Sequence, residues 1–157
     1  MKTNKKIVIT GCSTGIGYEL AKTLVGEGHR VYATARKEED LQNLKNLGCE
    51  AIYLEMTDAA SIQKACEKIP DSIDVLINNA GYVVTGPAEV VGFREFEAQF
   101  STNVFGVVEL TKYLIPTILK TRGHIITMSS VFGKVASPFW SPYCASKFAL
   151  EAYCDCV

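Results

Sequence analysis

Histidine is scarce in this 157-residue sequence: there are two, His29 and His124, and no cluster that could partner the cysteines. The six cysteines, Cys12, Cys49, Cys66, Cys144, Cys154 and Cys156, form no C-x-x-C pair. The spacings that hold zinc are therefore missing, and no metal site is expected. No secretion signal accompanies the cysteines, so they read as reduced thiols of a cytosolic protein. Long apolar runs are missing too. The start, residues 1–6, is basic, but Ile7-Val8-Ile9 behind it breaks at Gly11, too short for a signal-peptide core or a membrane span. Sixteen basic residues against seventeen acidic ones leave a net charge of −1. That balance gives no electrostatic reason to expect nucleic acid or an anionic membrane as a partner. The expectation is a soluble, cytoplasmic protein. What the chain has in quantity is core material, 48% hydrophobic residues against 21% charged. Its length suits one globular domain over residues 1–157, burying about 70% of the surface exposed on unfolding.

Apolar spacing gives the order of elements. Residues 5–10 predict a short buried strand, β-branched and closed by glycine. A helix follows over residues 18–26, with Leu20, Ala21, Leu24 and Val25 on its apolar face. Residues 30–34 are a second strand, and residues 37–47 a charged amphipathic helix ending at Gly48. Residues 51–54 are a third strand. Thr57 or Asp58 caps a helix running to Ile69, Pro70 stops it, and residues 73–77 form a fourth strand. Residues 92–120 predict one long helix with Phe93, Phe96, Phe100, Val104, Val107, Leu110, Leu114 and Ile118 on a single stripe, kinked or ended by Pro116. A fifth strand covers residues 124–128, and a last helix starts near Ser141. Strand and helix alternate throughout, so the class is α/β, a doubly wound parallel sheet of about five strands. There are no internal repeats, linkers or low-complexity stretches.

Chemistry enters at the turns. Between the first strand and its helix lies Thr10-Gly11-Cys12-Ser13-Thr14-Gly15-Ile16-Gly17. In that context glycines let the backbone pass close to a pyrophosphate, and the helix N-terminus offers free N–H groups to it. Gly11, Ser13, Thr14, Gly15, Ile16 and Gly17 are thus candidate dinucleotide-binding residues, although the spacing is G-x-x-x-G-x-G rather than G-x-G-x-x-G. Sites for NAD tend to place an acid about twenty residues past the glycines, on the ribose 2′-hydroxyl. Here that position is Ala35, followed by Arg36. A missing acid removes repulsion toward a 2′-phosphate, and a guanidinium pairs with one bidentately, so NADP is favoured over NAD. The plain alternative is a solvated Arg at a strand end. Farther on, Tyr143 and Lys147 stand four residues apart at a helix start, where positions i and i+4 share a face. A free phenol has a pKa of about 10, and a nearby cation should bring it closer to the working range of an acid–base catalyst. In doubly wound sheets ligands sit outside the carboxyl ends of the strands. The glycine loop, Arg36, Asn78-Asn79-Ala80-Gly81 and Ser130 all fall at those ends, which argues for one site.

Taken together, Thr10-Gly11-x-x-x-Gly15-Ile16-Gly17, Asn78-Asn79-Ala80-Gly81, Asn103, Ser130 and Tyr143-x-x-x-Lys147 resemble the classical branch of the short-chain dehydrogenase/reductase family. Tyr143 follows Ser130 by thirteen residues, the spacing typical of that branch. The resemblance covers essentially the whole chain and implies a Rossmann-like fold. It looks most like members acting on alcohols and ketones, with a nicotinamide cofactor and a small-molecule carbonyl or alcohol as substrate. It implies that Tyr143 is the general acid in reduction and the general base in oxidation. Ser130 would hydrogen-bond the substrate oxygen. Lys147 would lower the phenol's pKa and bind the nicotinamide ribose. Asn103 would hold a water linking Lys147 to solvent, and Asn79, Ala80 and Gly81 would line the ribose. Outside the family pattern, Asn103 could be a helix-interior residue bonded to its own backbone, and Ser130 a strand-end cap. The family also implies a homo-oligomer built on the long helix and the Tyr-bearing helix.

Two departures from the pattern stand out. Where many members carry an Asp after the third strand to meet the adenine amine, this chain has Glu55; the contact would persist with a longer arm or fall to the backbone at Met56. The family also implies a sixth and a seventh strand and a substrate-covering lid beyond the Tyr-bearing helix. Against that pattern the sequence, ending at Val157, reads as the first part of such an enzyme, with the fifth strand as an uncovered sheet edge. The leading expectation is an NADP(H)-dependent oxidoreductase of an apolar ketone or secondary alcohol, with Phe132, Val135, Phe139 and Trp140 near the pocket or simply in the core. An inactive nucleotide-binding remnant is the alternative. A relative of the extended nucleotide-sugar epimerases is a third reading, opposed by the glycine spacing.

Overall fold

The computed structural model describes residues 4–157; Met1, Lys2 and Thr3 of the basic start lie outside the described residues. Side chains along a strand point alternately to its two faces, and here both faces are apolar, as a parallel sheet covered on two sides requires. The strands are β1 (Lys6–Ile9), β2 (Arg30–Ala35), β3 (Glu50–Tyr53), β4 (Val75–Asn78) and β5 (His124–Thr127). All pair in parallel, in the order β3-β2-β1-β4-β5. Register puts Ile7 between Val31 and Val75, and Val8 between Tyr32 and Leu76.

Each face has its own layer of helices. Ile7, Ile9, Val31 and Ala33 pack with Ala21 of α1 (Gly15–Gly26) and Leu41 and Leu44 of α2 (Glu38–Asn46). On the other face Val8, Tyr32, Ile52 and Leu76 meet Ile62 of α3 (Ala59–Cys66), Val107, Leu110 and Leu114 of α5 (Gly106–Leu119), and Leu150 of α6 (Ser141–Cys156). Asp58, rather than Thr57, caps α3, its Oδ1 accepting from the Ala60 N–H at 2.9 Å. The helix stops at Cys66, short of the predicted Ile69, and tight turns through Lys68 and Ile69 complete the segment.

The expected single helix over residues 92–120 is corrected by the structure. It is three pieces: α4 (Phe93–Phe100), a π-helical turn (Ser101–Phe105) and α5. A π-turn inserts one residue, which shifts the helical phase by about 100°. The predicted stripe therefore breaks. Val104 to Ile118 are buried in its second half, but Phe93 is 80% exposed, and Gln99 takes the buried place on α4. Pro116 does not end α5, which continues to Leu119. Lys112, whose carbonyl loses its helical donor to that proline, lies on the exposed side with it, where water can serve.

Topology positions the site. The chain winds outward from β1 to β3 and then returns through α3 to place β4 on the other side of β1. Loops leaving the carboxyl ends of β1 and β4 diverge there and open a crevice. At the opposite flank β5 pairs only with β4 among the described residues, and Ile126 is exposed on it. A groove of about 390 Å³ runs between α5, β5 and α6.

Candidate active site

The glycine loop is built by backbone-to-backbone contact. Gly11 has φ +70°, and a Cβ there would stand 2.7 Å from Ala80 Cα. A Cβ on Gly17 would stand 2.4 Å from both Asn79 Nδ2 and the Gly11 carbonyl. Asn79 Nδ2 donates to the carbonyls of Thr10 (2.9 Å) and Gly11 (3.1 Å). The buried Thr10 hydroxyl accepts from the N–H groups of Asn79 (3.0 Å) and Ala80 (2.9 Å). Thr34 adds a third tie, accepting from Gly11 N–H at 3.3 Å through its hydroxyl and from Cys12 N–H at 2.8 Å through its carbonyl. Beyond this cinch α1 begins at Gly15 with no side-chain cap from Thr14 and no acid in its first turn. Its leading N–H groups and the positive end of its dipole are left for an anion.

From this loop a cleft of about 760 Å³ runs two ways. One arm reaches Arg36, Glu55, Met56 and Thr57; the other passes Asn79, Ala80 and Gly81 to Tyr143 and Lys147. Of the predicted binding residues, Gly11, Ser13, Thr14, Ile16 and Gly17 also line it, whereas Gly15 stands outside the wall at φ +60°. Pro142 in the first turn of α6 is preorganised for a helix start, and the next turn carries Lys147 beneath the phenol. Its Nζ lies 5.7 Å from the Tyr143 ring centroid and donates to the Met128 carbonyl at 2.6 Å. Lys147 is 6% exposed, and burial pushes its ammonium below the usual lysine range. Phe132 meets the Tyr143 ring edge-on at 6.3 Å and Trp140 lies 6.0 Å from it, so the phenol has an apolar flank.

Asn103 and Ser130 are not part of this cleft's lining: Asn103 is buried, and Ser130, partly exposed, follows Ser129 of the wall. Asn103, 1% exposed in the π-turn, donates to the Tyr82 carbonyl (3.0 Å) and to Ser146 Oγ (3.3 Å), and its Oδ1 accepts from Tyr82 N–H (3.1 Å). Its side chain is thus engaged with the loop after β4 and with the residue before Lys147, and one lone pair of Oδ1 is left over. The Ser130 hydroxyl accepts from Phe132 N–H at 3.1 Å. Because it accepts there, it keeps its own hydrogen to give. Ser129, its neighbour, does line the cleft.

At the far arm Arg36 Nη1 meets Glu55 Oε2 at 3.2 Å. Glu55 Oε1 accepts from the Thr57 N–H (3.1 Å) and hydroxyl (2.9 Å). Burial alone would raise this carboxyl, but the Thr57 donors and the Arg36 guanidinium outweigh it and hold it below the usual range.

Thr34, Gln99, Met128, Ser129 and Ser146 were given no role by the sequence, and Thr10 entered only as a member of the glycine motif. Gln99 is buried, its Oε1 accepting from Val84 N–H at 2.7 Å while its amide donates to the Tyr82 carbonyl. A signal for it existed. Gln99 and Asn103 are four residues apart, so on any helix they form one polar face turned toward the same loop.

A doubly wound parallel sheet with a backbone-tight glycine loop at the point where strand order reverses defines the class, a Rossmann-like nucleotide-binding fold. Within that class residues 5–157 match the model for the short chain dehydrogenase family, and the chain belongs to the short-chain dehydrogenase/reductase family. It is 35% identical over 158 residues to the uncharacterized oxidoreductase YbbO of Escherichia coli, covering 98% of this chain and 59% of that protein. It is 38% identical over 156 residues to a 3-ketodihydrosphingosine reductase of Bacteroides thetaiotaomicron, covering 96% and 56%. Among solved structures, a short-chain dehydrogenase from Streptomyces avermitilis superposes with a TM-score of 0.92 at 33% identity, over 99% of this chain and 60% of that one. An actinorhodin polyketide ketoreductase variant solved with NADPH gives 0.86 at 29% identity, over 98% and 63%. This chain therefore spans 56–60% of the length of the first three of these relatives. No helix among the described residues is long and apolar enough to cross a membrane, and none of their His, Cys, Asp and Glu side chains group in threes to hold a metal ion.

Proposed function

We propose that this chain acts as an NADP(H)-dependent oxidoreductase that interconverts an apolar ketone and its secondary alcohol. The observation that carries the reading is that Tyr143 and Lys147 open into the same cleft as the glycine loop. The cleft fits the cofactor. Its volume of about 760 Å³ suits a bound small molecule, the glycines of its loop let that backbone close on the loop after β4, and no side chain caps α1 at its edge. The loop from Gly11 to Gly17 and the start of α1 would take the pyrophosphate, and Asn79, Ala80 and Gly81 a ribose. Glu55 or Met56 would meet the adenine end and Arg36 a 2′-phosphate. The NADPH in the ketoreductase structure and the absence of an acid at Ala35 support NADP over NAD.

When bound, a nicotinamide supplies or accepts the hydride. The remaining work falls to side chains of this chain. Tyr143 gives a proton to the developing alkoxide in reduction and takes one in oxidation. Lys147 Nζ spends one hydrogen on the Met128 carbonyl and has two more for ribose hydroxyls, while its charge sits beside the phenol. Ser130, its hydrogen free, donates to the substrate oxygen and stabilises charge there. Asn103 fixes the Tyr82 backbone and Ser146 so that both sides of the site keep their spacing. Exposed Val83, Val135 and Phe139 with Trp140 favour an apolar substrate, and two relatives carry names of keto-group reductases. Exposed Phe105, Tyr113 and Phe148 on the π-turn, α5 and α6 support a homo-oligomer, which light scattering tests. The free cysteines fit a cytoplasmic setting. The central experiment follows NADPH consumption with a panel of apolar ketones. Tyr143→Phe should lower turnover by about 10²–10⁴-fold with NADPH binding retained, and unchanged turnover would refute the assignment.

A further inference from the structure

The adenosine end of the cleft is electrically closed on itself. Arg36 and Lys147 are the two cationic side chains on the cleft wall, and they stand at opposite arms; Glu55 is its one acid. Arg36 directly follows β2, and Glu55 follows β3 by two residues. Ala35 and Tyr53 are register partners on these neighbouring strands, so both side chains leave the same sheet edge side by side. Their ion pair, at 3.2 Å, is the only salt bridge Arg36 makes among the described residues. Glu55 is not free to leave. Thr57 holds its other oxygen through two hydrogen bonds, of 3.1 and 2.9 Å, and the Glu55 N–H donates to Ser61 Oγ at 2.9 Å. Arg36 is the looser partner, its side chain 71% exposed against 24% for Glu55.

We infer that Glu55 is a specificity-determining residue that competes with the cofactor's 2′-phosphate for Arg36 and so narrows this chain's preference for NADP(H) over NAD(H). The inference rests on the NADP(H) reading. A phosphate reaching Arg36 has two routes, and each is opposed. It can draw the guanidinium off Glu55, which leaves a carboxylate anchored by Thr57 and no longer paired with a cation. Or it can join the pair, which sets a dianion beside that carboxylate. A ribose bearing only its 2′-hydroxyl meets neither obstacle. Glu55→Gln removes the competing charge while keeping an oxygen for Thr57, and should leave Arg36 free for the phosphate.

The test uses calorimetry with two fragments that differ only in the group at issue, 2′,5′-ADP and 5′-AMP, and needs no turnover. Glu55→Gln should tighten 2′,5′-ADP relative to 5′-AMP by about two- to fivefold, the range of an exposed ion pair; the ratio cancels any contact Glu55 makes to the adenine that both fragments carry. Arg36→Ala should abolish the preference for 2′,5′-ADP, and in that background Glu55→Gln should add nothing. Glu55→Asp, one methylene too short to reach Arg36 while Thr57 holds it, supplies the same answer with an intermediate gain if the Gln variant melts early. If 2′,5′-ADP is preferred, and Arg36→Ala abolishes the preference while neither Glu55 variant strengthens it, this inference fails and the NADP(H) reading stands. Equal binding of both fragments by wild type and all variants would overturn both. Weaker 5′-AMP binding in Glu55→Gln with no rise in that ratio would overturn the inference by showing that the carboxylate serves the adenosine common to both fragments.

Discussion

Replacing Gly17 by Ala sets one methyl group against the two loops that frame the cleft. Its Cβ would stand 2.4 Å from Asn79 Nδ2 and from the Gly11 carbonyl, and 3.1 Å from Gly11 C. Gly17 is buried at the start of α1, so the methyl has no outward escape, and the backbone at Gly11 is tied to Thr34. Asn79 is the part able to yield. Doing so breaks its bonds to the Thr10 and Gly11 carbonyls, at 2.9 and 3.1 Å, worth about 1 kcal/mol each. Overpacking adds about 1–3 kcal/mol, so a loss of roughly 3–5 kcal/mol is expected, out of a total stability of about 5–15 kcal/mol for a typical domain. For a chain of this size that lowers Tm by roughly 6–20 °C. Gly15→Ala is the control: φ is +60° but nothing lies within 4 Å of its Cβ. It should cost about 1 kcal/mol or less once left-handed strain is offset by unfolded-chain entropy. Thermal unfolding by circular dichroism reads both. Asn79→Ala in the Gly17→Ala background should recover about 1 kcal/mol. A Gly17→Ala melt indistinguishable from Gly15→Ala would refute the account of the cradle.

Asn103→Ala should cost about 1–3 kcal/mol, because it leaves the Tyr82 N–H without its acceptor while the carbonyl keeps the Gln99 amide, and hydrogen exchange at Tyr82 should quicken without a like change in β1. Lys147 gives a signed pH effect. Burial lowers its folded pKa, so below that value the charge is carried in both states and its burial cost is fully present. Between the folded pKa and the unfolded one the unfolded chain binds more protons, so stability rises with pH there; denaturation of Lys147→Met across alkaline pH should lack that rise. Thiol labelling followed by mass spectrometry should modify Cys154 and Cys156 first, since both are exposed. Burial pushes the Cys12 thiol up to about 12, and those of Cys49 and Cys66 to about 11, which leaves little thiolate to react.

How much was legible depended on whether a feature was local in the sequence. The strands declared themselves through short β-branched runs, and Gly11 to Gly17 announced a turn between strand and helix. Tyr143 and Lys147 were legible because helical spacing alone puts them on one face. What failed was phase. Counting by 3.6 residues carried the apolar stripe from Phe93 to Ile118 without a break, because no composition signal marks a π-turn made of Ser, Thr, Asn, Val and Phe. The part played by Thr34, and by Thr10 beyond its place in the glycine motif, escaped for another reason. Each looks like an ordinary strand residue, and its role appears only when Asn79, 69 positions after Thr10, folds back onto it. The Arg36–Glu55 pair was half visible: both residues were singled out, but for different parts of the cofactor, and only the parallel register of β2 and β3 makes them neighbours.

The wide turn at Ser101–Phe105 also fixes something outside itself. The segment from Gly81 to Val91 contains no helix or strand, so its path is set by anchors, and the strongest are Gln99 and Asn103 gripping Tyr82 and Val84 from either side of the extra residue. Deleting Ser101 or Thr102, the π-turn residues that lie between the two amides, would restore regular helical winding and yet swing one anchor about a quarter-turn from the other. A repair that improves the helix would thus unmoor the loop, and sequence changes near that loop must be judged by what they do to the spacing of two amides downstream.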